Sequence, residues 1–385
     1  MTNVLTPHRP LAHRSPPPRL SAREDLLTIA FTCWLIIGLF VDGWAHNNDK
    51  PETYFTPWHG LLYSGFLATA LWMWSRYQRH GRAPAGYGLG LVGVAGFALG
   101  GGVDMVWHMI FGVEVDLEAL LSPSHLVLFA SGLLLVSSPL RAAWSDPDPA
   151  GRAPSLRAFL PPLISMTLVT ASVSFFMMVF SPFLSSAATR APYRFIDLHA
   201  GPEVGEWLAE EVQLGGFASI LLTTVVLTAP TLLLLRRWRL PFGALTVLFT
   251  TVVGLVSATE GFDMGEAAFA GVAAGLAGDV LVRALQRRSV SMVSTLRIVG
   301  AVVPAVLWLA YFGLLAVFYS VGWTVELWAG VTCMAALAGF GLAVLMMPPS
   351  VPDSADGPAS RADAPDGPAS RADAPDGPAS RAGLA

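Results

Sequence analysis

The sequence predicts an all-α protein, a polytopic bundle of about ten transmembrane helices. Hydrophobic residues make up 54% of the 385 residues and charged residues only 13%, about half the charged fraction of an average soluble domain. Apolar runs of about 20 residues, long enough to cross a bilayer, recur along the chain. They lie near residues 26–45, 59–77, 87–110, 124–143, 158–180, 207–235, 240–258, 264–285, 296–319 and 324–347.

The first 24 residues carry four arginines and several prolines and have no apolar stretch. We therefore expect residues 1–24 to be a cytoplasmic tail without a cleavable signal peptide, and the first span to act as the insertion signal. Residues 25–347 form the predicted transmembrane domain. Residues 348–385 repeat a ten-residue unit from Asp356 onward. Because this unit offers almost no apolar surface to offset the entropy of ordering, a disordered cytoplasmic tail is expected.

Basic residues cluster in alternate loops between the predicted spans. Short loops rich in Lys and Arg stay in the cytoplasm, and the intervening loops are acidic or nearly uncharged. This asymmetry predicts a multi-pass protein with both termini in the cytoplasm. Lys50 is the single lysine, which is typical of a GC-rich bacterial genome, so a bacterial inner membrane is the expected location. The formal net charge of −4 gives no indication of nucleic-acid binding, and membrane lipids are the expected surroundings.

A trio of metal-binding residue types occurs twice in the first four spans. Asp42, His46 and His59 recur as Asp104, His108 and His125. The pattern Gly-x-x-Val-Asp-x-x-x-His begins at Gly38 and again at Gly100, and a Pro-x-His sequence follows each copy. The first two spans, near residues 26–77, therefore look like a copy of the next two, near residues 87–143. Since each copy is a pair of spans, both trios are expected on the same, external side.

Each trio has the donors of a metal site. Residues four apart share one helix face, so each Asp and the His four residues later can point at one ion, and the Pro-x-His adds a third ligand. Carboxylate and imidazole suit first-row divalent metals, and three protein ligands leave open positions. Copper, zinc and iron all remain open on donor type. In the alternative interpretation, Asp and His form hydrogen-bonded clasps without metal.

The first trio resembles the intramembrane copper site of the C subunit of particulate methane and ammonia monooxygenases. The resemblance rests on Asp42-Gly-Trp-Ala-His46, twelve intervening residues, and His59 within Phe55-Thr-Pro-Trp-His59. The second copy shares the Trp-His pair ending at His108 and the Pro-Ser-His ending at His125, with a loop four residues longer. The resemblance covers about 25 residues per copy. It implies copper as the ion and the six residues as its ligands.

Three functions follow from these patterns. The first is a copper-dependent oxidoreductase acting on oxygen or a small lipophilic substrate, in association with partner membrane subunits or as a homo-oligomer. The second is metal transport or handling, and the third is a metal-free structural subunit. The sequence leaves open whether the chain is an enzyme. Among other carboxylates, Glu266 is expected near the metal region and Asp279 is expected to pair with Arg283, four residues further on.

Overall fold

The computed structural model describes residues 16–48, 50, 55–112, 116–146 and 154–347, and within these ranges the chain is almost wholly helical. The helices are α1 (Ala22–Asn47), α2 (Pro57–His80), α3 (Gly88–Phe111), α4 (Asp116–Leu121), α5 (Pro123–Val136), α6 (Ser138–Trp144), α7 (Leu156–Phe176), α8 (Ala191–His199), α9 (Pro202–Arg237), α10 (Ala244–Ala258), α11 (Gly265–Arg287), α12 (Met292–Phe318) and α13 (Val325–Met346). The predicted tail at 348–385 lies outside the described residues, as do residues 1–15.

The predicted helical membrane bundle is confirmed. Within the described ranges, seven helices are long and apolar enough to cross a membrane: α1, α3, α7, α9, α11, α12 and α13. Helices α5 and α6 form an eighth candidate span, bent by 43°. The other two predicted spans coincide with α2, whose 24 residues extend about 36 Å, and with α10, which has only 15 residues. The short helices α4 and α8 were not predicted.

Two helical hairpins, α1–α2 and α3–α5, form the internal repeat. In each hairpin a glycine approaches the residue three positions after the histidine that opens the second helix. A Cβ added to Gly38 would lie 2.6 Å from the Leu62 Cα, and one added to Gly100 would lie 3.1 Å from the Leu128 Cγ. The sequence repeat is therefore also a repeat of helix packing.

The remaining long helices, α7 and α9 to α13, share a second and larger apolar core. Asp279 on α11 is buried there, and the structure corrects its predicted pairing. Its carboxylate accepts hydrogen bonds from the backbone N–H groups of Leu245 and Thr246, at 3.1 and 3.0 Å, and from the Thr246 hydroxyl at 2.6 Å. Because the first N–H groups of a helix lack partners within it, Asp279 serves as a cap for α10.

Candidate metal centre

The first trio forms where α1 ends and α2 begins. Asp42 and His46 lie one turn apart on α1, with 3.7 Å between Asp42 Oδ2 and His46 Nε2. His59, in the first turn of α2, places its Nε2 3.2 Å from Asp42 Oδ1. Thr56 caps α2 by accepting the backbone N–H of His59, and its hydroxyl also lies 2.9 Å from His59 Nδ1. One residue thus fixes both the start of the helix and the ring that faces Asp42.

The second trio has nearly the same geometry. His108 Nε2 lies 3.5 Å from Asp104 Oδ2, and His125 Nε2 lies 3.3 Å from Asp104 Oδ1. The two imidazole centroids are 5.9 Å apart, compared with 6.0 Å in the first trio. Ser122 caps α5 as Thr56 caps α2, accepting the backbone N–H of His125. The longer connection in this copy contains α4.

These separations fit metal coordination. Bonds of about 2.0–2.2 Å from a first-row metal to nitrogen or oxygen put two ligands about 3.3–3.6 Å apart at the tetrahedral angle. The four Asp–His separations run from 3.2 to 3.7 Å. In each trio, one donor atom from each residue lies within 4.8 Å of the other two. Both trios could therefore hold an ion with little movement.

Hydrogen bonding of His108 favours a cation beside Asp104. The Nδ1 atom of His108 lies 3.1 Å from the Gly112 carbonyl oxygen, which can only accept, so Nδ1 carries a proton. In a neutral imidazole the other nitrogen then presents a lone pair, and this nitrogen faces the Asp104 carboxylate. Two acceptors at this separation repel each other unless a metal ion or a second imidazole proton lies between them. Asp104 is only 5% exposed, so water screens this repulsion weakly.

All six side chains line one cavity of about 670 Å³, called here the shared cavity. Two ions bound here would both adjoin the same cavity.

Glu260 also lines the shared cavity, from the turn between α10 and α11. Asn47, next to His46, donates a hydrogen bond to Glu260 Oε1 at 2.8 Å. Burial and the neighbouring Asp263 raise the pKa of Glu260, although the Asn47 hydrogen bond opposes them. The link of Glu260 to Asn47 was not predicted, because 213 positions separate the two in sequence.

Glu266 and His199 are ionisable residues outside the lining of the shared cavity. Glu266 hydrogen-bonds to the Tyr319 hydroxyl on the protein exterior and does not line the shared cavity, so its expected position near the metal region is wrong. His199 ends α8, where its Nδ1 lies 2.8 Å from the Phe195 carbonyl oxygen and its ring stacks on Phe195. It also lies outside the cavity lining.

The chain matches no protein-family model, and no curated protein or solved structure shows significant similarity to it. The geometry of the trios and the shared cavity are therefore the features that indicate a function.

Proposed function

We propose that this protein binds two transition-metal ions in the membrane, one in each Asp/His/His trio, at the wall of the shared cavity. The observation that carries the proposal is the recurrence of the same three donors at the same separations in two hairpins that face one cavity. A single Asp–His pair is commonly a structural hydrogen bond. Two trios with coordination-length spacing, one of which sets two acceptors against each other, are better explained by cations.

The donor set favours a first-row metal that accepts imidazole and carboxylate. We propose copper, because the residues from Asp42 to His59 resemble the copper site of the C subunit of particulate methane and ammonia monooxygenases. Three protein ligands leave room for a small molecule at each ion. An oxidoreductase that acts on a substrate in the shared cavity is therefore the proposed activity, with zinc or iron as alternative ions.

Metal transport is the alternative, and one observation weighs against it. A transporter needs polar groups leading from the site to the opposite side of the membrane. Asp279 is the carboxylate that the sequence puts in the inner half of α11, and its oxygens are occupied by the start of α10. This carboxylate is therefore a structural cap, which makes it a poor step on an ion pathway.

Elemental analysis of the full-length protein, purified in detergent, tests the proposal. We expect about two metal equivalents per chain, falling to about one in His59→Ala and in His125→Ala, and to none in the double variant. His199→Ala is the matched control, because it removes an exposed histidine outside the cavity. If copper is bound, electron paramagnetic resonance of the two single variants should show the signal of the remaining site.

A folded wild-type protein that takes up no metal after reconstitution with copper, zinc or iron would contradict the proposal. That result would favour the structural interpretation, in which each trio is a protonated Asp–His clasp. Equal metal content in wild type and double variant would place the ions elsewhere in the protein.

A further inference from the structure

The shared cavity extends well beyond the trios, along α1. Its lining on this helix includes Leu35, Leu39, Asp42 and His46, spaced three or four residues apart as one helix face requires. The eleven helical steps from Leu35 to His46 correspond to about 16 Å at the helical rise of about 1.5 Å per residue. This length is about half of the roughly 30 Å hydrocarbon core of a bilayer.

The cavity is polar at one end and mainly apolar over the rest of its length. The trios, Asn47 and Glu260 lie at the end where α1 and α3 finish. The remaining walls consist chiefly of aliphatic and aromatic side chains, contributed among others by Leu35, Phe97, Leu128, Phe129, Phe175 and Phe176. A volume of about 670 Å³ falls within the range of about 300–1,000 Å³ for sites that enclose organic ligands.

One difference between the repeat copies opens the apolar part. His59, Leu62, Tyr63 and Phe66 on α2 correspond to His125, Leu128, Phe129 and Gly132 on α5. The Phe66 ring of the first copy stacks on Phe97 of the second copy, with 4.6 Å between centroids. In the second copy glycine takes the place of that ring, and Gly132 lines the cavity.

Close helix packing does not require glycine at position 132. A Cβ added to Gly132 would meet only Phe97 Cε2, at an ordinary contact distance of 3.8 Å. By contrast, the Cβ of an alanine at position 38 would overlap the backbone of Leu62. Glycine within a helix is destabilising relative to alanine, because it loses more backbone freedom on folding. The absence of a side chain at Gly132 leaves open space beside Phe97.

We propose that the shared cavity binds a single-chain lipophile, with its apolar chain between Leu35 and Phe97 and its polar end at the trios. The placement of the polar end rests on the proposed metal function, whereas binding of the chain rests on the cavity itself. The same chemistry is available from a free fatty alcohol or acid and from one acyl chain of a bilayer lipid. The length of the whole cavity along α1, polar end included, is about that of one leaflet.

Photolabelling of the full-length protein tests this inference. The probe is 1-dodecanol with a diazirine at the chain end opposite the hydroxyl group. Irradiation expels N₂ and leaves a carbene that inserts into the nearest C–H bond, so mass spectrometry of peptides locates the chain end. We expect adducts around Leu35 on α1 and Phe97 on α3, and competition by unlabelled 1-dodecanol. Extraction of the purified protein and lipid analysis then show whether a bilayer lipid occupies the site.

Gly132→Leu is expected to reduce this labelling about tenfold, equivalent to about 1.4 kcal/mol of binding, while leaving the metal content unchanged. Gly313→Leu is the matched control, because Gly313 is also a helical glycine with open space around its Cβ but lies outside the cavity lining. If Gly132→Leu does not fold, Gly132→Ala provides a smaller obstruction, with a partial loss expected.

Labelling confined to lipid-facing residues, or equally reduced in the position 132 and 313 variants, would overturn the inference. Labelling at Leu35 and Phe97 in a protein without metal would support the lipophile site and contradict the proposed metal function. A metal-loaded protein with no labelling at Leu35 or Phe97 would support the proposed metal function and contradict the lipophile site.

Discussion

Thr56 connects helix formation to the orientation of a proposed ligand. Its hydroxyl accepts the backbone N–H of His59 and also contacts His59 Nδ1 at 2.9 Å. A partner on the far nitrogen fixes the ring orientation and the tautomer of a metal-binding histidine. The structural and the chemical contribution of this residue can therefore be measured in one substitution.

We expect Thr56→Ala to lower the stability of the protein by about 1 kcal/mol, the usual cost of losing an N-cap. We also expect it to weaken metal binding at the first trio by about 10- to 100-fold. Thr56→Ser keeps the hydroxyl and should retain both properties. Metal titration monitored by absorbance measures the affinity of the first trio, and thermal unfolding measures the stability. Equal metal affinity in the Ala and Ser variants would show that the Thr56 hydroxyl does not contribute to metal binding.

Glu260 should make stability depend on pH. Its pKa is raised above the ordinary 4.5 by burial and by Asp263, so the folded protein holds this proton more tightly than the unfolded chain does. The resulting stabilisation is complete below the unfolded pKa and is lost as pH rises through the folded pKa. The Glu260→Gln side chain cannot ionise, but it keeps an oxygen that accepts the hydrogen bond from Asn47.

The Gln variant should therefore be more stable than the wild type at about pH 8, and this advantage should disappear near pH 4. Thermal unfolding across this range, with a chelator present to keep metals out of the shared cavity, measures the difference. A difference that stays constant with pH would show that ionisation of Glu260 does not contribute.

At the scale of helices, equivalent glycines in the two hairpins face different atoms. An added Cβ at Gly38 would lie 2.6 Å from the Leu62 backbone, but at Gly100 it would meet the Leu128 side chain at 3.1 Å. A side chain can rotate away, whereas a helix backbone must move as a unit. The two hairpins should therefore tolerate the same substitution differently.

Gly38→Ala should destabilise the protein by about 1–3 kcal/mol through overpacking. Gly100→Ala should stay within about 1 kcal/mol of wild type, because the higher helix propensity of alanine offsets the contact. Gly60→Ala is a control on α2, since nothing lies within 4 Å of its added Cβ. Unfolding in a denaturing detergent measures all three, and similar losses for positions 38 and 100 would contradict the argument.

The helices and the trios follow from local sequence signals, whereas several long-range contacts do not. Apolar length predicts the spans, and the Asp-x3-His spacing puts two donors on one helix face. The Asp279 cap was not predictable in this way, because its partners at Leu245 and Thr246 lie more than 30 positions away. Gly132 also gave no local signal. Its importance appears only from its position beside Phe97 and from comparison with Phe66, the residue at the corresponding position of the first copy.

At the scale of the whole described bundle, two apolar cores meet around the shared cavity. The repeat hairpins have a core of their own, which includes Leu35, Leu62 and Phe97. The core of α7 and α9 to α13 contributes Phe175 to the cavity wall, and the turn after α10 contributes Glu260. The proposed site therefore depends on both cores, although its six donor residues all come from the repeat.

The proposed orientation puts the trios at the external membrane edge and both termini in the cytoplasm. It predicts that the α1–α2 connection and the start of α9 are external, and that the ends of α2 and α11 are internal. Single cysteines at exposed positions of these segments report on this arrangement. Phe55→Cys and Glu203→Cys report on the two segments predicted to be external. Arg79→Cys and Arg288→Cys report on the two segments predicted to be internal. Cys33 and Cys333 are replaced by alanine beforehand, since both are free thiols.

A membrane-impermeant maleimide added to intact cells should label the Phe55 and Glu203 variants and should label the other two only after the membrane is opened. This outcome follows from the arginines, since moving their loops across the membrane opposes the positive-inside preference. Labelling of Arg79→Cys in intact cells, with Phe55→Cys protected, would invert the bundle and put the trios on the cytoplasmic side. Labelling of Phe55→Cys but not Glu203→Cys would mean an odd number of crossings between them. Because α2, α3, the bent α5–α6 pair and α7 all lie in that interval, such a result would show that one or three of these four segments do not span the bilayer.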